Sequence, residues 1–211
     1  MKKHIILIAP LLIIVLYGFS QQEQPVLRKA NQLYKQKEFD KSLPEFQKAV
    51  QINPENPVAQ YNFGNVLYRK QSYAEAELAY SIAVQKSSEK SRKENAFYNK
   101  GVALSRQKKL EESIAAYKEA LKLDPSDEAA RLNLQKALLE LKKKTDSENS
   151  KSPKKQEQKQ QQKQQPKQNQ SKLNKKQVEQ LLKALRQREQ EVQQKMQQNK
   201  TRSTTNPEKD W

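Results

Sequence analysis

The stretch QYNFGNVLYRKQSYAEA, residues 60–76, decides how this chain is read. Its aromatic and aliphatic residues recur at helical spacing. Yet Gly64 stands in the middle, where glycine costs roughly 1 kcal/mol relative to alanine. The chain has only 3 glycines, and Gly18 lies in an apolar N-terminal run. The third, Gly101, sits in FYNKGVALS, residues 97–105, a second helical pattern of the same cast. Two of three glycines at matching places in two similar stretches point to an internal repeat.

Working outward, Gly64 falls 34 positions after Ala30, and the same step joins Phe39 to Tyr73, Ser42 to Ala76, Phe46 to Tyr80 and Ala49 to Ala83. A third copy follows at a step of 37, through Gly101, Leu110, Ser113, Tyr117 and Ala120, with the extra residues absorbed by the polar stretch KSSEKSRKEN. Pro54 and Pro125 close the first and third copies. Each copy reads as two amphipathic helices, A and B. In the second copy these are expected over about 57–70 and 73–87. Asp40 is expected to cap helix B of the first copy, with Pro44 in its first turn. Asp124, Pro125 and Asp127 introduce a last helix over about 127–144 with a polar outer face, which suits the cap of a solenoid. The expected fold is therefore all-α: three helix-turn-helix repeats at about 23–56, 57–90 and 94–127, plus the capping helix, within residues 21–144. Ala30, Gly64 and Gly101 mark the tightest A–B contact, where a larger side chain would force the helices apart.

These spacings resemble the tetratricopeptide repeat: a small residue in helix A, an aromatic at the A–B turn, a small residue early in helix B, then an aromatic, an alanine and a proline. The family's early tryptophan is absent; Val26, Gln60 and Phe97 stand there, and serine replaces the first helix-B alanine in copies one and three. The resemblance implies a solenoid whose A helices line a concave, peptide-binding groove. In this chain the inward positions are Leu27, Asn31, Tyr34 and Lys35, then Tyr61, Asn62, Asn65, Tyr68 and Arg69, then Tyr98, Asn99, Val102, Ser105 and Arg106, continued by Asn133. Lys35, Arg69 and Arg106 are equivalent, as are Asn62, Asn99 and Asn133. An asparagine amide donates to and accepts from a peptide backbone, and the cations favour an acidic ligand. The same residues also read as ordinary solvated polar groups and half-buried tyrosines. In the carboxylate clamp of chaperone-binding members, Asn31 and Asn62 match the two asparagines. The three basic positions fall on Leu27, Asn95 and Asn99, which argues against such a clamp.

Composition narrows the function. There is no cysteine, and the 1 histidine is His4. Disulfides, thiol chemistry, histidine general-base catalysis and the usual zinc ligand sets have no residues to use. Two glycines outside the N-terminal run cannot build a phosphate-cradling loop. No enzyme, cofactor or metal is expected. Lys2, Lys3 and His4 followed by the apolar residues 5–19, with Gly18 and Ser20 before Gln21, read as a signal peptide over 1–20. An uncleaved anchor is the alternative, although the run is short for a span and holds Pro10. Either way the protein is expected to be exported: periplasmic, with inner-membrane association as the variant.

Beyond residue 144 the composition changes. Residues 145–172 are Lys- and Gln-rich with almost no apolar side chains, and are expected to be a disordered linker. The formal net charge of +17 is shared between repeats and tail. Export and the lack of interleaved aromatics argue against nucleic acid; contact with an anionic membrane surface or an envelope polymer is the second reading. Leu173, Val178, Leu181, Leu182, Leu185, Val192 and Met196 give an amphipathic helix over 173–199, expected to pack on a partner helix or on itself. A lone fluctuating helix is the plainer reading. Residues 200–211 form a tail ending NPEKDW, where Lys209, Asp210 and Trp211 read as a docking element. Leader, three repeats, linker, the helix QVEQLLKALRQREQEVQQKM and EKDW together resemble the tetratricopeptide proteins of the Bacteroides-aerotolerance (Bat) set, of the BatC type. That resemblance implies a non-catalytic envelope adaptor. It implies von Willebrand factor A-domain membrane proteins and a MoxR-type ATPase as associates, and a link to oxygen or envelope stress. Oligomeric state and the bound partner stay open at this level.

Overall fold

The computed structural model describes residues 22–150 and 173–204. The expected signal peptide, most of the linker and the EKDW docking element lie outside the described residues. Eight helices and no strand are found among the described residues: α1 (22–35), α2 (Phe39–Ile52), α3 (Pro57–Arg69), α4 (Tyr73–Lys86), α5 (Lys90–Arg106), α6 (Leu110–Leu123), α7 (Glu128–Ser150) and α8 (Lys175–Thr204). None of the described helices is long and apolar enough to cross a membrane. The chain divides into two compact units, one up to Asn133 and one from Leu134.

In the first unit α1/α2, α3/α4 and α5/α6 are the three expected helical hairpins. Helix α3 packs on α4 and α5 on α6; α4 packs on α5, and α3 touches α5 directly. Burial follows the small-and-aromatic pattern read from the sequence. Ala30, Phe46, Ala49, Ala59 and Val66 are fully buried in one cluster. Leu67, Ala76, Ala79, Tyr80 and Ala103 form the next. Small residues at these places let helices approach closely, and the aromatics fill what remains.

Each A helix ends in the same way. Lys37, Gln71 and Lys108 all take a left-handed conformation, at φ 63°, 63° and 60°. The following amide bonds five residues back, Glu38 to Leu33, Ser72 to Leu67 and Lys109 to Leu104, at 3.0–3.1 Å. This is the Schellman ending, which favours glycine; here it is formed by lysine and glutamine.

Two expectations are corrected. Asp40 does not cap α2: that helix begins at Phe39 after Glu38, and Asp40 lies in its first turn. Pro44 is consequently the sixth helical residue, inside the helix, where its missing N–H leaves one carbonyl of the preceding turn without its helical donor. A cap of that kind is formed at the start of α3 by Asn56, whose Oδ1 accepts from the amides of Val58 at 2.8 Å and Ala59 at 3.2 Å. Asn56 and Asn53 both donate to the carboxylate of Glu23, which is only 1% exposed. Thus a buried acid on α1 fixes the turn that joins the first repeat to the second.

In the second unit the remainder of α7 buries Leu134, Ala137, Leu138 and Leu141, a helical stripe. It runs on to Ser150, past the expected end at 144. Helix α8 opens with a capping box: Gln177 N donates to Asn174 Oδ1 and Asn174 N to Gln177 Oε1, each at 2.9 Å. Lys175 pairs with Asp146 at 2.8 Å, and Glu179 with Lys142 at 3.4 Å. A step of four forward on α8 is a step of four back on α7, so the two run antiparallel. Val178 and Leu182 are buried, and Leu181, Leu185 and Val192 are half-buried. The partner helix expected for the amphipathic segment is α7 of the same chain.

Candidate functional site

Equivalent side chains on α1, α3 and α5 and the start of α7 form a continuous polar and aromatic row. Asn62, Asn99 and Asn133 each reach one repeat backwards. Asn62 Nδ2 donates to Asn31 Oδ1 at 2.9 Å. Asn99 Nδ2 donates to Asn65 Oδ1 at 3.1 Å and to the Tyr61 hydroxyl at 3.0 Å. Asn133 Nδ2 donates to the Tyr98 hydroxyl at 3.1 Å. The ladder expected from the sequence is therefore present, but its amide donors join neighbouring repeats. No hydrogen bond to the oxygens of Asn62, Asn99 and Asn133 is found among the described residues, so each keeps its acceptor capacity.

The cations obey the same register. Arg106 Nε donates to the Tyr68 hydroxyl at 3.1 Å. Arg69 lines one recess with Tyr34, whose hydroxyl favours the charged guanidinium and raises it above the ordinary arginine value. Lys35, Arg69 and Arg106 are all exposed, and none pairs with a carboxylate among the described residues. By contrast Lys29 closes on Glu45, Lys70 on Asp40, Lys86 on Glu55 and Lys109 on Glu77. The row thus carries three positive charges without a carboxylate partner, two of which, Arg69 and Arg106, lie against a tyrosine of the preceding repeat.

Tyrosines shape the floor. Tyr61 and Tyr80 rings lie 5.9 Å apart and Tyr98 and Tyr117 rings 6.0 Å apart, both tilted. Burial raises the hydroxyl pKa of Tyr61, Tyr80 and Tyr98 and pushes that of Tyr117 up to about 12. All four stay neutral and can donate: Tyr80 OH reaches Asn65 Oδ1 at 2.9 Å, and Tyr117 OH lies 3.2 Å from Ser105 Oγ. Beside Arg69 a recess of ≈ 180 Å³ opens between Tyr34, Asn65, Tyr68, Tyr80 and Asn99.

Among the sequence-predicted groove residues, Asn31, Tyr34, Lys35, Tyr61, Asn62, Asn65, Tyr68, Arg69, Tyr98, Asn99, Arg106 and Asn133 share this row. Leu27, expected to point inward, is instead buried in the first core cluster, 6% exposed. Lys209, Asp210 and Trp211 lie outside the described residues. Sequence reasoning missed Tyr80, a helix-B residue that reaches through to line the recess, because only the A helices were read as lining the groove. It also missed Glu23 and its two asparagines, for which no periodic signal exists.

The stacked hairpins and their shared inner row define a helical-repeat binding scaffold. Residues 94–127 match the tetratricopeptide repeat family model and residues 30–71 a second TPR repeat model, so the repeats are tetratricopeptide repeats, a protein-interaction fold. Human RNA polymerase II-associated protein 3 is 28% identical over 128 residues, 61% of this chain and 19% of that protein; the chain spans about a fifth of that relative's length. The solved first TPR of Spaghetti (RPAP3) bound to the HSP90 peptide SRMEEVD is 28% identical with a TM-score of 0.54, covering 58% of this chain and 94% of that one. The first TPR domain of human RPAP3 is 27% identical with a TM-score of 0.53, covering 59% and 96%.

Proposed function

We propose that the chain is a non-catalytic adaptor whose repeats hold an extended segment of a partner protein against the α1–α3–α5 row. The observation that carries this reading is the set of three exposed cations on one row without a carboxylate partner, beside amide oxygens left open by the inter-repeat bonds. A peptide supplies what the row lacks: backbone N–H groups for the amide oxygens and carboxylates for the cations. The solved Spaghetti TPR with its HSP90 peptide supports a peptide ligand for repeats of this kind. This chain has no base at the clamp positions Leu27, Asn95 and Asn99, so its ligand is gripped along its length and not by a terminal carboxylate.

The finer reading follows from the resemblance to the Bat set. It makes the protein exported and periplasmic or inner-membrane associated, with von Willebrand factor A-domain membrane proteins as partners. Lys209, Asp210 and Trp211 would engage a second site on such a complex, and a tether between two weak sites raises effective concentration. A photocrosslinker at Tyr68 in living cells, followed by mass spectrometry, tests both levels. Capture of a polypeptide through Tyr68, lost when Arg69 and Arg106 are both changed to Gln, is the expected outcome. Crosslinks that survive that double change unaltered would remove the groove reading. Capture of partners without any envelope domain would remove the Bat reading alone.

A further inference from the structure

We infer that the ligand of this row is an acidic polyproline-II segment carrying a carboxylate at every third residue. The inference rests on the peptide-binding reading above and adds the ligand's conformation and register. Three observations set them. First, the cations recur once per repeat, at Lys35, Arg69 and Arg106. Second, α3 and α5 touch directly, so equivalent residues on successive A helices are separated by one helix–helix packing distance, about 8–10 Å. Third, each arginine lies beside the tyrosine of the repeat before it: Arg106 donates to the Tyr68 hydroxyl, and Arg69 shares its recess with Tyr34, so the position repeats from one step to the next.

A ligand crossing the A helices must present like side chains at that same step. A β-strand does not: residues on one face recur every two positions, about 6.7 Å, and every third residue points away. A polyproline-II chain does: it has three residues per turn and a rise of about 3.1 Å, so every third residue returns to the same side after roughly 9.3 Å. That conformation makes no internal hydrogen bonds and leaves its N–H groups free for the open oxygens of Asn62, Asn99 and Asn133. The recess of ≈ 180 Å³ beside Arg69 has room for the middle acidic side chain. Proline is tolerated between the acids, because those positions face away from the row. The chain's own Lys- and Gln-rich segment has the wrong charge to occupy it.

The test uses the full chain and two fluorescein-labelled peptides of identical composition, EPAEPAE and EEEPAPA, followed by anisotropy at low salt. The register peptide is expected to bind about tenfold more tightly. Arg69→Gln and Arg106→Gln should each remove most of that preference, while Lys70→Gln, at a residue already paired with Asp40, should leave it unchanged. Circular dichroism of each variant separates lost binding from lost fold. Equal binding of the two peptides, weakened by both arginine changes, overturns the register and leaves the groove reading in place. Binding of either peptide that ignores the arginines overturns both. Failure of both peptides to bind overturns the inference, and the crosslinking result then decides the groove reading independently.

Discussion

At the scale of single residues, the two helical glycines are explained by the tyrosines that face them. A Cβ built on Gly64 would lie 2.6 Å from Tyr80 Cε1, and one on Gly101 would lie 2.6 Å from Tyr117 Cε1. In the first repeat the pair is Ala30 and Phe46, both fully buried. The difference is the hydroxyl. Tyr80 and Tyr117 are tied by their OH groups to Asn65 and Ser105 on helix A, which leaves their rings no freedom to retreat. Gly64→Ala should therefore destabilise by about 1–3 kcal/mol through overpacking, despite the better helix propensity of alanine. Adding Tyr80→Phe should recover part of the loss, because the ring is then free to shift. Chemical denaturation of the two single variants and the double variant checks this; a stabilised Gly64→Ala would refute the contact. The sequence made the glycines conspicuous and placed them at the A–B contact. It did not name the tyrosine, because the opposing residue lies on another helix and only coordinates supply that pairing.

At the scale of the element, periodicity located the helices and proved weakest at their ends. The existence of α3 to α6 was legible from the apolar spacing, and α3 and α4 end within a residue of expectation. The start of α2 was misplaced because Asp40 is a good capping residue that here sits two positions inside the helix. The ends of the A helices carried no glycine to announce them, since Lys37, Gln71 and Lys108 adopt the left-handed conformation themselves. Non-glycine residues there cost roughly 1–2 kcal/mol. Gln71→Gly should accordingly stabilise by about 1 kcal/mol, a gain reduced by the extra freedom of glycine in the unfolded chain. The check is a thermal melt: a lower midpoint for Gln71→Gly would mean that the Gln71 side chain makes a contribution larger than the strain. The amphipathic seam of α8 was equally legible, but its partner was not, because an apolar stripe states that it must be covered without stating by what.

For the molecule as a whole, a repeat array is stabilised by neighbour-to-neighbour terms, so a defect at one junction is felt by the array. Such a defect lies where the third repeat meets α7. Glu94 on α5 faces Asp127, whose Oδ1 caps α7 by accepting from Ala130 N at 3.0 Å. Partial burial, a hydrogen bond to Asp127 and the charges of Asp127 and Asp124 together raise the Glu94 carboxyl from 4.5 to about 7. Folded chains thus hold this proton up to about pH 7, whereas unfolded chains release it near 4.5. The folded state binds more protons in that window, so the stability contributed by this group is complete below about 4.5 and falls as pH rises through 7. Asp124 and Asp146, whose carboxyls are held below the ordinary value, act in the opposite sense and only at lower pH. Glu94→Gln keeps a donor for Asp127 and removes the ionisation. It should raise the melting temperature at pH 8 and leave it nearly unchanged at pH 5, flattening the profile between. The site is largely open to water, so the gain at pH 8 should be a few tenths of a kcal/mol to about 1 kcal/mol. Denaturant titrations of both proteins across that range measure the difference directly; parallel profiles would show that Glu94 is ionised throughout and that the junction carries no shared proton.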